Sequence, residues 1–147
     1  TSKNWTASTN VADQCRRSLY IFARRNLRFP FLEAFDAPDN NLTCPERGRS
    51  TTAPQALALL NADEVQEAAR GTAQRLRLTP TSNDDARIDS ACRLILGRKP
   101  TEAERRYARA FLQETRQRSK SAGTRDDDGL EELCRGLFNL NSFLYVD

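Results

Sequence analysis

From Thr52 onward the chain repeatedly spells out the start of a helix, and this repetition constrains the fold more than any other feature. Thr52-Ala53-Pro54-Gln55 is a capping box, in which the first and fourth side chains satisfy each other's backbone N–H groups, and Pro54 suits a first helical turn. Asn61-Ala62-Asp63-Glu64 reads as a second box and Thr101-Glu102-Ala103-Glu104 as a third. Asn83 or Asp84 caps a further helix, and Asp128-Gly129-Leu130-Glu131 opens the last. Apolar side chains then recur at helical spacing: Ile88, Ala91, Cys92, Ile95 and Leu96 make one stripe, and Leu130, Leu133, Cys134, Leu137 and Phe138 another. Between them Tyr107, Ala108, Phe111 and Leu112 are expected to be buried by a helix that frays near Arg118.

The first helix is expected to run to Leu60 and to kink or restart at Asn61, reaching about Leu76. Gly71 inside it costs about 1 kcal/mol against Ala. Gly97 followed by Pro100 stops the helix that starts near Asn83. Residues 119–128 read as a loop, and the closing NLNSFLYVD is too apolar to hang free and should dock on the core. Composition agrees, with 17 Leu and 18 Ala against 6 Val and Ile together, a helix-former's balance.

The first 50 residues are less regular. Residues 1–14 read as a polar linker, with Trp5 the one side chain able to anchor it. In residues 15–25, Cys15, Leu19, Phe22 and Ala23 fit a helical stripe, while Leu19, Ile21 and Ala23 alternate with Ser18, Tyr20 and Phe22 as in a strand. The flanking Arg pairs tip the reading to a short extended segment. Residues 26–50 hold Pro30, Pro38, Pro45 and Gly48 and are expected to be irregular, with one helical turn over Phe31–Phe35. The expected fold is therefore all-α: a bundle of four or five helices preceded by an irregular N-terminal arm with at most one short strand, residues 15–147 forming a single helical domain.

Several chemistries are excluded. The chain has no His, so any triad, zinc site or haem ligation that needs imidazole is ruled out. It holds no P-loop, G-x-G-x-x-G or G-x-S-x-G. The four cysteines are far apart with no C-x-x-C. Cys92 and Cys134 fall on apolar helix faces, and Cys15 and Cys44 either pair or stay as thiols. No cofactor, metal or membrane insertion is expected, since no apolar run approaches the roughly 20 residues that span a bilayer.

Two clusters remain as binding candidates. Asp36, Asp39, Asn40, Arg47 and Arg49, with Asn41 and Glu46 beside them, could ligate Ca²⁺ or a sugar, although the EF-hand spacing is absent and Asp-Asn runs beside Pro are ordinary turn chemistry. Arg16, Arg17, Arg24, Arg25 and Arg28 interleave with Tyr20, Phe22, Phe29 and Phe31, a mixture that single-stranded nucleic acids use. A net charge of +3 and a pI near 8.8 fall short of a basic nucleic-acid-binding domain. These Arg are expected to meet an acidic polysaccharide or carboxylates of the same protein, with Arg24 or Arg25 paired to the helices.

Four pieces occur in one order: R-R-S-L-Y at Arg16–Tyr20, F-D-A-P-D at Phe35–Asp39, R-S-T-T-A-P-Q-A-L-x-L-L-N at Arg49–Asn61 and N-x-F-L-Y-V at Asn141–Val146. Through them, residues 15–147 resemble the C-terminal part of the planctomycete surface domain family, a domain of unknown function. The resemblance implies an exported, periplasmic or surface location and a place at the end of a larger multidomain protein, often one with an N-terminal cytochrome c-like domain. The expected role is a non-catalytic interaction or scaffold module packed against upstream domains of the same polypeptide. The alternative is part of an enzyme acting on polysaccharide or coupled to the cytochrome c-like domain, with Asp36, Asp39, Arg47 and Arg49 in a shared cleft. Aromatics of the arm (Phe22, Phe29, Phe31, Phe35) and of the tail (Phe143, Tyr145) are expected to pack together beside the interface to the missing domain.

Overall fold

The structure, a computed structural model, describes residues 6, 8–14, 16–24, 27–38, 41, 52–80, 83–122 and 129–144. The chain divides into two units, Thr1–Ser50 and Thr51–Asp147.

In the first unit short polar side chains do most of the organising. Asn10 accepts the Ala12 N–H at 3.0 Å and so caps α1 (Val11–Gln14), while Gln14 Nε2 donates to the Ser8 carbonyl at 2.6 Å. The segment read as a short strand is instead a 3₁₀ turn over Ser18–Tyr20, followed by an isolated antiparallel bridge between Arg24 and Leu27. A strand needs a partner along its length, and among the described residues the pairing of this segment is limited to that single bridge. The expected helical turn is present as α2 (Pro30–Ala34), with Pro30 in its first turn. It stops at Asp36, whose φ of 55° turns the chain so that the Ala37 N–H reaches the Leu32 carbonyl at 3.0 Å. Apart from Val11 and Pro30, the described residues of this unit are exposed or half-buried.

The regular structure among the described residues of the second unit is all helix, and the buried residues described lie within it. Gln55 Oε1 accepts the Thr52 N–H at 3.1 Å and starts α3 (Ala53–Asn61). The chain then restarts at α4 (Asp63–Leu78), because Ala62 adopts an extended conformation. Ala62 is the residue before that helix, so Asn61 does not act as its cap. Its Nδ2 donates instead to the Leu57 carbonyl at 2.9 Å, inside α3. Asn83 accepts the Asp85 N–H at 3.0 Å at the head of α5 (Asp84–Leu96), and Gly97 at φ 70° ends it. At α6 (Glu102–Ala122) the capping box is complete: Thr101 Oγ1 accepts the Glu104 N–H at 3.2 Å, and Glu104 Oε2 accepts the Thr101 N–H at 2.7 Å.

Gly129, at φ 71°, leads into α7 (Leu130–Phe138), and α8 (Asn141–Leu144) follows. Helix α7 is the hub, packing on α3, α4, α5, α6 and α8. The core collects Ala69, Ala73 and Leu76 of α4, Ile88, Ala91, Cys92 and Ile95 of α5, Leu112 of α6, and Leu130, Leu133, Cys134 and Leu137 of α7. Cys92 and Cys134 are buried and in no disulfide, and burial pushes the Cys92 thiol up from its ordinary value. The Phe143 ring meets Phe138 edge-on at 5.0 Å and docks the tail on the core, while Phe31 of the first unit meets Phe35 at 5.0 Å. Cys15, Cys44 and Tyr145 lie outside the described residues, as do residues 123–128 of the expected loop. The helix before that loop does not fray near Arg118 but continues to Ala122. No helix of the described residues is long and apolar enough to cross a membrane.

The expected burial of Tyr107 and Phe111 does not hold, since they are 68% and 40% exposed. Arg105, Arg109, Leu112 and Arg116 stand at i, i+4, i+7 and i+11 and form the side of α6 that meets α5, so Tyr107 and Phe111 turn away from it.

Candidate functional site

In the Arg-aromatic stretch Arg16 pairs with Asp13 at 2.9 Å and Arg28 lies 3.9 Å from Glu33. Of the Asp36–Arg49 cluster the structure describes Asn41, which is exposed, and Asp36, which is half-buried at the end of α2 with its N–H on the Glu33 carbonyl at 3.3 Å. Asp tolerates a left-handed backbone better than most residues, so its place here is that of a helix-ending turn. Asp39, Asn40, Arg47 and Arg49 lie outside the described residues, and so does Arg25.

The helical unit carries two arrangements that sequence reasoning missed. The first is a ladder of ion pairs between α5 and α6. Arg105 reaches Asp89 at 2.7 Å, Arg109 holds Asp85 at 2.6 Å, and Arg116 forks onto both oxygens of Asp84 at 2.7 and 2.8 Å. The Arg116 hydrogen bonds hold the Asp84 carboxyl below the ordinary carboxylate range, against a smaller opposing effect of burial. Next to the ladder Arg98 forks onto Glu104 at 2.7 and 2.8 Å, and these bonds, with those of Thr101, pull the Glu104 carboxyl down to about 2. Paired so closely, these charges hold two helices in register.

The second arrangement is an open groove of about 460 Å³ lying among α3, α6 and α7. Leu60 and Phe111 give it an apolar side, and Thr115, Arg118 and Ser119 continue along α6. Glu132, Arg135 and Gly136 line it from α7. The groove is poorly satisfied. Glu132 Oε2 is buried without a hydrogen-bond partner, and Arg135 forms no ion pair among the described residues. The helical hydroxyls of Thr72, Ser90 and Ser121 donate to the carbonyl four residues back at 2.7, 2.8 and 3.0 Å. Those of Thr115 and Ser119 make no such bond among the described residues. Arg118 is held by Glu114 at 2.7 Å. The signal in the sequence was present: Phe111, Thr115, Arg118 and Ser119 share one face of α6, and Glu132, Arg135 and Gly136 one face of α7. It went unread because polar residues at helical spacing look like an ordinary solvated face.

One carboxylate, two guanidiniums and two hydroxyls can bind and orient a ligand. Among the described residues no group of three or more Cys, Asp and Glu gathers into a cation site. Residues 1–112 match the model of the PSD1 family, described as a protein of unknown function (DUF1553). The chain belongs to the PSD1 family. The PSD1 match takes in three of the four pieces noted in the sequence and ends within α6, so Asn141–Val146 lies beyond it. Comparison with curated proteins and with solved structures finds no match.

Proposed function

We propose that the chain is a non-catalytic interaction module of a secreted or surface multidomain protein, whose first unit is covered by another domain of the same polypeptide. One observation carries this reading: Leu19, Tyr20 and Phe22 are 77%, 66% and 73% exposed within four residues, and no residue of Thr1–Ser50 whose burial is described is buried. Residues that bury little recover little of the entropy lost on ordering, and clustered exposed apolar side chains mark a surface meant for a partner. Arg16 stacks over the Tyr20 ring at 5.7 Å, so the patch is amphipathic and suits a neighbour that offers apolar and acidic groups together.

The test compares the full-length polypeptide with this chain by hydrogen exchange and by photo-crosslinking from position 20. Covering predicts that the amides of residues 16–24 are protected only in the full-length protein, and that the crosslink joins them to another of its domains. Equal, fast exchange in both forms, or turnover of a substrate by the chain alone, would overturn it.

A further inference from the structure

We propose that the groove among α3, α6 and α7 binds a neutral saccharide unit, a role separate from the covered surface of the first unit. The inference starts from what the groove leaves unsatisfied. Glu132 Oε2 is a buried acceptor without a donor, and Arg135, one turn along the same helix face, is a set of donors without an ion-pair partner among the described residues. Thr115 and Ser119 add two hydroxyls not used by their own helix. Leaving the buried Glu132 oxygen unpaired is costly, and the half-exposed donors beside it are within reach of the same occupant, so the groove favours one that brings both donors and acceptors at short spacing.

Charge narrows the choice. An ammonium drawn to Glu132 would be repelled by Arg118 and Arg135, and a carboxylate drawn to the arginines would be repelled by Glu132. A neutral hydroxyl suffers neither penalty, because it donates to the carboxylate and accepts from the guanidinium. Adjacent ring hydroxyls of a sugar repeat that pairing at the spacing of neighbouring side chains. The Phe111 ring, 40% exposed on the apolar side, offers a face of negative quadrupole to the C–H face of a pyranose. A volume of about 460 Å³ falls within the roughly 300–1,000 Å³ of small-molecule sites. The open form suits one unit of a longer chain that passes through.

The test is saturation-transfer NMR and calorimetry on this chain with cellotriose, laminaritriose, maltotriose and chitotriose at millimolar concentration. An acetylated lysine tripeptide and triglutamate serve as charged competitors. At least one trisaccharide should bind, with affinity falling roughly tenfold or more in Glu132→Ala and Phe111→Ala. It should be unchanged in Tyr107→Ala, a position on the same helix outside the groove. Phe111→Trp, with its wider ring, should bind more tightly, a gain that misfolding cannot produce. If no trisaccharide binds, if the groove variants bind as well as the parent chain, or if only a charged peptide binds, the assignment is wrong.

Discussion

Gly71 sits in the middle of α4, exposed, and a Cβ added there would meet nothing within 4 Å. Gly71→Ala should therefore stabilise the protein by about 0.5–1 kcal/mol in urea unfolding, through helix propensity alone. Gly129 is the opposite case. Its φ is 71°, and an added Cβ would lie 3.1 Å from Thr115 Cβ and 3.3 Å from Leu112 Cδ2. Gly129→Ala should cost at least about 1–2 kcal/mol, and more if Leu112 has to shift. Glu104 supplies a pH signature. Its carboxyl is held down to about 2 in the folded state against an ordinary value of 4.5. A depressed folded pKa gives stability that is complete above the ordinary value and is lost as pH falls toward 2. The melting temperature should fall between pH 4.5 and 2, and Glu104→Gln, which keeps the capping geometry but not the charge, should flatten that fall.

At the scale of elements the α5–α6 ladder invites a comparison within one helix. The side chains of Arg116 and Asp84 are 31% and 21% exposed, and Asp84→Ala should cost about 1–2 kcal/mol. Arg118 and Glu114 are 75% and 69% exposed, and Glu114→Ala should change stability by no more than about 0.5 kcal/mol. Equal losses from the two would contradict the greater enclosure of the Arg116–Asp84 pair. The helices themselves were legible because their signals are local: Thr52, Asn83, Thr101 and Gly97 act on their own turns. The facing of α6 was not. Counting only apolar residues points to Tyr107 and Phe111, whereas the side that packs on α5 is built from Arg105, Arg109, Leu112 and Arg116, whose charges are balanced by aspartates 16 to 32 residues earlier in the chain. Likewise the 3₁₀ turn at Ser18–Tyr20 won over a strand because no partner strand exists among the described residues, which no pattern within residues 15–25 could disclose.

At the scale of the whole molecule the buried residues among the described ones all lie between Gln55 and Leu137. A fragment of residues 51–147 should therefore keep a cooperative thermal transition and the far-UV dichroism of helix. A fragment of residues 1–50 should show neither, since none of its residues whose burial is described is buried. Non-cooperative melting of the longer fragment would refute this. The candidate site was legible only in its chemistry. A shared cleft of carboxylates and arginines was the alternative reading for Asp36, Asp39, Arg47 and Arg49, of which the structure describes Asp36. The groove instead draws on three helices, and its members meet only after the chain has folded back on itself.

The two buried thiols give this core a stopwatch. With Cys92 and Cys134 at 2% and 0% exposure, an alkylating reagent reaches them only when the packing parts. In a background carrying Cys15→Ser and Cys44→Ser, each labelling rate then measures how often its own helix lets go. Equal rates would mean that α5 and α7 part in a single event. Faster capture of Cys134 would mark α7, on which every other helix of the unit leans, as the keystone that slips first.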